Sequence, residues 1–515
     1  MAVNIMLYGP PAAGKTSVGR LLATRLGREF VDVDALVSQR AGRTIPAIFE
    51  RDGEAAFRQL EAGCCAELAE GGGRVIALGA GALLDAASRS RLERTGAIVC
   101  LHATPSDLRA RLANGEGRPL LSGIDSAGTL DRLLASRRAH YESFPEHVDT
   151  SGRTVAAVVA DVEESIALRT LTLQAPGLRH DVALGYGLID ELPALLASRG
   201  LDGPFVLVTD ENVARCLGAL IPNDIPRIVV PAGEAQKTPA SSASLCERLA
   251  SLGLDRTGMI IAMGGGVIGD LAGFAAATFM RGIRWVNVPT TLLAMVDASV
   301  GGKTGVNLPA GKNLVGAFHA PALVVADLLA LATLPAVERV SGMAEVVKHA
   351  VIGSPSLFDT LERTRAFGSL RQIAETIGVK IRVVEADPFE RGERAKLNFG
   401  HTIGHAVEAV SGYTMRHGDA VAIGLVAEGR LAERLGIADG GDVARIATIL
   451  DRVGLRTRYG ESTAAQLRAA MAVDKKKAGA TLRFALPARI GDVRYGVEVD
   501  NTVLMEVLGE VSKPG

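Results

Sequence analysis

A chain of 515 residues is too long for one hydrophobic core and predicts about three or four units at ~100–200 residues each. Hydrophobic residues make up 48% and aromatics only 4%, which favours close helix–sheet layers over an aromatic-rich sandwich. With Lys+Arg at 56 against Asp+Glu at 57, the chain lacks the basic field that a nucleic-acid or membrane-surface binder needs.

NIMLYG reads as a strand, GPPAAGKT (residues 9–16) as a turn and TSVGRLLATRLG as a helix. The turn fits G-x-x-x-x-G-K-[ST] between strand and helix, where backbone N–H groups cradle phosphate. Lys15 supplies a charge for the outer phosphates and Thr16 a hydroxyl for Mg2+. FVDVD reads as a short strand, with Asp32 and Asp34 alternating at its end: one for Mg2+, the other for a substrate hydroxyl. RVIALGAG and AIVCLHA are further strands with helical patterns between them, the order of a parallel sheet with crossovers. A phosphate loop specifies a nucleotide and leaves the acceptor open. Candidates for the acceptor side are Arg58, Gly79 and Gly81 in GAG, Arg118 in a lid-like Gly-rich segment, and Arg137 with Arg138 in SRRAHYE.

Together and in this order, these motifs resemble shikimate kinase over about residues 1–165. The resemblance implies that Asp34 orients or deprotonates the attacking hydroxyl, that Arg58 and Arg137 bind the acceptor carboxylate, and that Gly79 and Gly81 admit the ring. Lys15 and Arg118 would act on the transferring phosphate. Gly9, Gly14, Lys15, Thr16, Ser17, Arg111, Arg118 and Arg153 would bind ATP, with Thr16 and Asp32 on Mg2+. Two positions depart from the family pattern: Ala12 stands where the loop usually has glycine, and Ala80 interrupts the usual three glycines.

Beyond Ile166, LRTLTLQAPGLRHDVALG begins a new strand pattern, with residues 169–177 read as a linker. PFVLVTDENV, RIVVPAGE, GMIIAMGGG and IRWVNVPTT follow as strands with helices between them. Residues 258–280 carry one charge, Asp270, and are long enough to cross a bilayer. Their six glycines favour a buried strand, a turn and a buried helix instead. GGGVIGDLAGF is a Gly-rich strand-to-helix turn suited to a pyrophosphate, although its spacing is not GxGxxG. Asp210, Asn212, Glu234 and Lys237 precede it; Thr290, Thr291, Asp297, Lys303, Lys312 and Asn313 follow. Lys303 and Lys312 sit beside glycines in apolar text, which favours anion binding.

Past about Asp327 the text is mostly helical, with a hairpin expected around residues 482–493. LNFGHTIGHAVEAVSGYTMRHGDAVAIG (residues 397–424) holds three of the nine histidines. Asn398, His401, His405 and Glu408 recur at helical spacing on one face. Spacing alone makes His401 and His405, at i and i+4, a ligand pair. His417 stands just before the next helix, and MAEVVKHA adds Glu345, Lys348 and His349.

GGGVIGD, GGKTGVN, the MAE text, GHTIGH and RHGDAVAIG resemble 3-dehydroquinate synthase over about residues 170–515. The resemblance implies a different ligand set: Glu345, His401 and His417 hold zinc, cobalt or iron, and His405 is an acid/base or phosphate contact beside them. It implies NAD bound by Asp210, Asn212, Glu234, Lys237, Gly265, Gly266, Asp270, Thr290, Thr291, Lys312 and Thr333. The keto-acid phosphate DAHP would meet Arg281 across a dimer contact, Lys303, Asn313, Lys348, Lys380, Arg394, Asn398 and Lys475 or Lys476. His405, Lys348 and Asp297 are the implied catalytic groups. Hydride would pass to NAD+ and return after phosphate elimination, so NAD+ is catalytic.

The expected fold is α/β: a P-loop kinase parallel sheet (1–168), a linker (169–177), a Rossmann-like NAD domain (178–327) and a mostly α-helical metal and substrate domain (328–515). The expected function is a bifunctional shikimate-pathway enzyme that phosphorylates shikimate with ATP and converts DAHP to 3-dehydroquinate. An active dehydroquinate synthase, or a related sugar-phosphate cyclase, with a non-catalytic nucleotide-binding N-terminal module is the alternative; Ala12 and Ala80 raise the inactive module, which Lys15, Asp34, Arg58 and Arg137 argue against, and the GHTIGH text with Lys380 leans toward the dehydroquinate branch. A plain metal-dependent alcohol dehydrogenase would have no phosphate for Lys303, Lys312, Lys348 and Arg394 to neutralise. Five cysteines without a CxxC pair and an N-terminus without a basic leader fit a cytoplasmic protein. A homodimer through the synthase half is expected, with no nucleic-acid or membrane partner.

Overall fold

The first 150 residues lay five strands side by side: β1 (Asn4–Tyr8), β2 (Phe30–Asp32), β3 (Val75–Ala77), β4 (Gly96–His102) and β5 (Glu146–Asp149). In this computed structural model, residues 3–113, 126–364, 366–475 and 482–513 are described. The sheet runs β2-β3-β1-β4-β5, and all its pairs are parallel. β1 is central, and all five of its residues are buried, as a strand covered on both faces requires. The sheet delivers the phosphate loop to helix α1 (Lys15–Leu26). Gly9 is obligatory there: its φ is 128°, and a β-carbon would lie 2.1 Å from the Leu101 carbonyl oxygen.

The strand reading of FVDVD stops early. Asp32 is the N-cap of helix α2 (Val33–Ala41), and its carboxylate accepts from Asp34 N and Ala35 N. Asp34 therefore lies in the first helical turn rather than alternating along a strand. Capping wins because the Asp side chain satisfies helix donors that a strand would leave unpaired. Helix α3 (Ile45–Leu68) follows.

The residues expected as a linker carry a strand. β6 (Arg169–Ala175) pairs antiparallel with β7 (Leu178–Gly185), and only a tight turn separates them. Its apolar residues are spaced two apart, and Leu173 alone is buried, the pattern of an edge strand. The second sheet continues through β8 (Phe205–Asp210), β9 (Arg227–Val230), β10 (Met259–Gly264) and β11 (Arg284–Pro289). A separate hairpin, β12 (Lys303–Leu308) with β13 (Gly311–Phe318), precedes the last strand, β14 (Leu323–Asp327). The seven-stranded order is β6-β7-β14-β11-β10-β8-β9.

The apolar stretch at 258–280 is β10, a Gly turn and helix α4 (Gly266–Thr278). Among the described residues, no helix is long and apolar enough to cross a membrane.

The rest is mostly helical: α5 (Ala336–Gly353), α6 (Leu370–Ala386), α7 (His401–Val410) and α8 (His417–Arg434) matter for the site. The late hairpin is β15 (Arg483–Arg489) with β16 (Asp492–Glu498), ending slightly beyond expectation. Glycines bring these helices into contact. A β-carbon on Gly418 would lie 2.1 Å from the Ser341 carbonyl oxygen of α5, and one on Gly424 would lie 1.8 Å from the Gly400 oxygen. Fully buried Glu428 of α8 accepts from Gly400 N and Ile403 N and so fastens the start of α7.

Candidate active sites

The N-terminal cleft, about 420 Å3, is lined by Lys15, Thr16, Ser17, Asp32, Asp34, Arg58, Gly79, Gly81, Arg111 and Arg137. They come from six separate stretches of the sequence. The Lys15 ammonium donates to the carbonyls of Gly9 and Pro10, 2.9 Å each, folded over its own loop. Thr16 Oγ1 donates to Asp32 Oδ2 at 2.8 Å, which sets hydroxyl and carboxylate side by side as a Mg2+ site needs.

Arg58 pairs with Glu61 at 2.6 Å and with Glu54 at 3.1 Å. Glu61 was missed by sequence reading, although it stands three residues from Arg58 on α3. It is buried; burial pushes its carboxyl up and Arg58 pulls it back. A β-carbon at Gly79 would lie 2.2 Å from Glu61 Oε1, and one at Gly81 would lie 2.7 Å from the Arg58 guanidinium. Those glycines leave room for the Glu61 carboxylate and the Arg58 guanidinium where they stand.

Ala80 takes no positive φ, so its methyl costs no backbone strain. Its carbonyl accepts from Tyr141, Tyr8 and Arg137 at 2.8, 3.2 and 3.3 Å. Ala12 does adopt the left-handed region, φ 63°, where glycine is the natural choice. Arg111 is fixed at the rim by Thr150 Oγ1, 2.9 Å, and the Thr150 carbonyl, 2.5 Å. Arg153, expected at ATP, lies away from this lining in an exposed pair with Asp161. Arg118 lies outside the described residues.

In the C-terminal half, ligand atoms of Glu345, His401 and His417 all lie within 4.8 Å of one another. Glu345 Oε1 is 3.5 Å from His401 Nε2 and 3.4 Å from His417 Nε2. Glu345 is fully buried, and neither of its oxygens accepts a well-formed hydrogen bond, although Lys348 Nζ lies 2.5 Å from Oε2. A buried carboxylate whose Oε1 faces the Nε2 atoms of two imidazoles is a donor set that fits a divalent cation with open positions. His405, which spacing paired with His401, is not among the three residues whose ligand atoms converge; its ring centroid lies 5.2 Å from that of His401, one turn further along α7. His417 joins the cluster because α8 begins where Gly418 meets α5.

The two imidazoles are held from behind. His401 Nδ1 lies 3.2 Å from the Phe399 carbonyl, and His417 Nδ1 lies 3.3 Å from Glu408 Oε1. Burial pushes His401 well below the usual imidazole range. Burial also pushes His417 down, but Glu345 and Glu408 outweigh it and lift its imidazole to about 9. Burial pushes Glu408 up, and its contacts to His417 and Lys312 bring it down to about 2.

Beside this centre is a buried charge network. Lys380 donates to the Asp297 carbonyl at 2.6 Å and to its carboxylate at 2.7 Å, with Lys348 at 4.0 Å. Burial pushes the Asp297 carboxyl up; Lys380 and Lys348 overcome it and hold it well below the usual range. His349, which sequence reading gave no role, is buried 3.5 Å from Asp297 with no hydrogen bond to either ring nitrogen. Burial first, then Lys348, keep it neutral, at about 3.

The β12–β13 hairpin joins the Glu345–His401–His417 cluster to the Gly-rich turn. Lys312 reaches Glu408 at 3.3 Å, while Asn313 accepts from Lys237 at 2.5 Å, and Lys237 pairs with Asp270 of α4 at 2.5 Å. Asp270 lies in α4, whose N-cap is Gly265 and first residue Gly266. Glu234 accepts from Asn307 at 2.7 Å, and Thr291 Oγ1 caps Ala294 N. Asp210 caps the helix Glu211–Leu217, accepting from Asn212 N. Thr290 is buried, and Thr333 bonds locally to the Ala330 carbonyl.

Arg394 is buried and donates to the Pro388 and Gly301 carbonyls. Lys303 pairs with Glu390 at 2.5 Å. Asn398 is exposed at the end of a short turn, Glu393–Asn398, and does not share the α7 face, because Gly400 at φ 80° breaks the helix before His401. Arg281 is exposed at φ 70° beside Met280 at φ 50°. The Lys475 side chain and Lys476 lie outside the described residues.

The family model for shikimate kinase matches residues 11–167, and those for 3-dehydroquinate synthase, N-terminal and C-terminal, match 227–341 and 342–477. The 3-dehydroquinate synthase of Symbiobacterium thermophilum is 45% identical over 334 residues, 61% of this chain and 93% of that protein. A structure of 2-deoxy-scyllo-inosose synthase complexed with carbaglucose-6-phosphate, NAD+ and Co2+ is 26% identical, covers 67% of this chain and 100% of its own, and has a TM-score of 0.61. Shikimate kinase from Acinetobacter baumannii in complex with shikimate is 35% identical, covering 32% of this chain and 92% of its own, with a TM-score of 0.31.

Proposed function

The chain belongs to the 3-dehydroquinate synthase family and carries a shikimate kinase unit ahead of it, two shikimate-pathway enzymes in one polypeptide; from that premise we propose how its residues divide the work. In the N-terminal cleft Lys15 and the loop N–H groups hold the ATP phosphates, with Arg111 at the rim. Thr16 and Asp32 take Mg2+. Asp34 receives the proton of the attacking shikimate hydroxyl, and Arg58 and Arg137 grip the acceptor carboxylate.

In the C-terminal half the observation that carries the reading is the convergence of Glu345, His401 and His417 beside Lys348, Lys380 and Asp297. Zinc or cobalt held by those three residues would polarise the vicinal oxygens of DAHP, and bound NAD+ would take and return the hydride. The protein's own groups do the rest. Lys380 orients the substrate carboxylate or hydroxyls; Lys303, Lys348, Asn313 and Arg394 neutralise the phosphate so that it can leave. His405 moves a proton one turn from His401. Ionised Asp297 stands at the nicotinamide side, and Asp270 and Lys237 hold the cofactor.

The synthase half pairs as a homodimer; the exposed, left-handed Met280–Arg281 tip supports this, since such strain persists where a contact repays it. Free cysteines at 64, 65, 100, 216 and 246 fit the cytoplasm.

One purified chain tested in two assays decides the matter. Shikimate-dependent ADP formation and NAD+-dependent phosphate release from DAHP, without net NADH, are expected together. Well-folded protein that forms no ADP reduces the N-terminal unit to a non-catalytic module. Accumulating NADH replaces the synthase reading with a dehydrogenase.

A further inference from the structure

The two enzymes touch through a buried carboxylate. Glu146, at the start of β5, is only 4% exposed. Its Oε1 accepts from Leu370 N at 2.6 Å and from Tyr186 Oη at 2.8 Å. Glu146 lies within the shikimate kinase match, residues 11–167, whereas Leu370 lies within the C-terminal synthase match, 342–477.

Leu370 is the first residue of α6. The helix has its own capping box: Ser369 Oγ accepts from Gln372 N, and Gln372 Oε1 accepts from Ser369 N and Gly368 N. That box leaves Leu370 N as one of the donors that a helix start cannot satisfy internally. A residue of the other enzyme satisfies it, and a carboxylate there also meets the positive end of the helix dipole.

Ten residues further along α6, ~15 Å at 1.5 Å per residue, is Lys380. Its ammonium donates twice to Asp297. α6 also packs against the short turn Ala294–Ala298 that carries Asp297. Because α6 is one continuous helix, an axial or rotational shift at its first residue moves the Lys380 ammonium relative to Asp297.

We infer that Glu146 is a positioning residue for the synthase reaction: a side chain of the kinase unit fixes the start of α6 and, through it, the contact of Lys380 with Asp297. The inference rests on the assignment of Lys380 and Asp297 to the synthase centre.

The test compares full-length Glu146→Ala, Glu146→Gln and Lys380→Ala with the parent. It reads kcat and KM of both reactions together with hydrogen exchange of the amides at 370–374. Glu146→Ala should lower synthase kcat five- to tenfold, leave KM for NAD+ and the kinase kcat within twofold, and speed exchange at Leu370. Glu146→Gln keeps an acceptor oxygen and should return synthase kcat to within twofold. An unchanged synthase kcat in Glu146→Ala with faster Leu370 exchange overturns the inference, leaving the contact as mere adhesion. If Glu146→Ala does not fold, Glu146→Asp, which withdraws the carboxylate by one methylene, is read the same way. Full synthase activity in Lys380→Ala removes the site assignment, and the inference with it; lost activity in Lys380→Ala beside an unchanged Glu146→Ala defeats the inference alone.

Discussion

Lys15 in the nucleotide cleft rests on two backbone carbonyls of its own loop, whereas Lys348 beside the metal centre is 1% exposed and faces a carboxylate at 2.5 Å. The first kind of cation is half-solvated and ready for phosphate. The second exists only because acids are buried with it, so its neighbours depend on one another. A buried pair that loses one member leaves an uncompensated charge, which costs about 3–5 kcal/mol, while a solvated charge is removed cheaply. The N-terminal cleft should therefore lose function without losing structure; the metal centre should lose both.

The largest test of that contrast is Glu345→Gln. It should weaken metal binding and lower phosphate release from DAHP by ~10^2-fold or more, with a drop in melting temperature. Metal analysis and both assays on the same sample check it; a parallel fall in kinase rate would show that the two centres are not separable. Lys15→Ala comes next: ADP formation should fall ~10^2–10^3-fold while the melting curve and phosphate release stay put.

A third test concerns a buried histidine outside both sites. His180 on β7 is 3% exposed, and neither ring nitrogen has a hydrogen bond. Burial lowers it from 6.5 to about 4, so the unfolded chain binds a proton there that the folded chain refuses. Stability should be full above about pH 6.5 and fall as the pH drops towards 4, by about 3 kcal/mol from this group. Denaturant unfolding between those pH values should show a shallower slope in His180→Leu. The smallest effect is Ala12→Gly, which relieves the left-handed alanine and should stabilise the kinase unit by about 1 kcal/mol in the same assay.

Legibility in the sequence followed locality. The phosphate loop was plain because strand, glycines, lysine and helix lie within about a dozen residues, and the fold keeps them together. The convergence of Glu345, His401 and His417 was not legible from spacing, which selected His401 and His405; Glu345 comes from α5 and His417 from the start of α8, and the glycines that close those helices onto each other carry no signature of it. The family resemblance supplied Glu345 and His417 instead. β6 passed for a linker because an edge strand with a single buried residue looks like surface text. The β12–β13 hairpin hid in GGKTGVN…GKN for another reason: its glycines interrupt the alternation that marks a strand. Glu61 and His349 escaped because their roles depend on neighbours brought in from elsewhere: Gly79 approaches Glu61, and Asp297 approaches His349.

Returning metal to chelator-stripped, full-length protein tests the central claim most directly. Phosphate release from DAHP should rise in proportion to added zinc or cobalt and level off at one equivalent per chain, while shikimate-dependent ADP formation in Mg2+ stays flat throughout. Full phosphate release from metal-free protein would contradict the account.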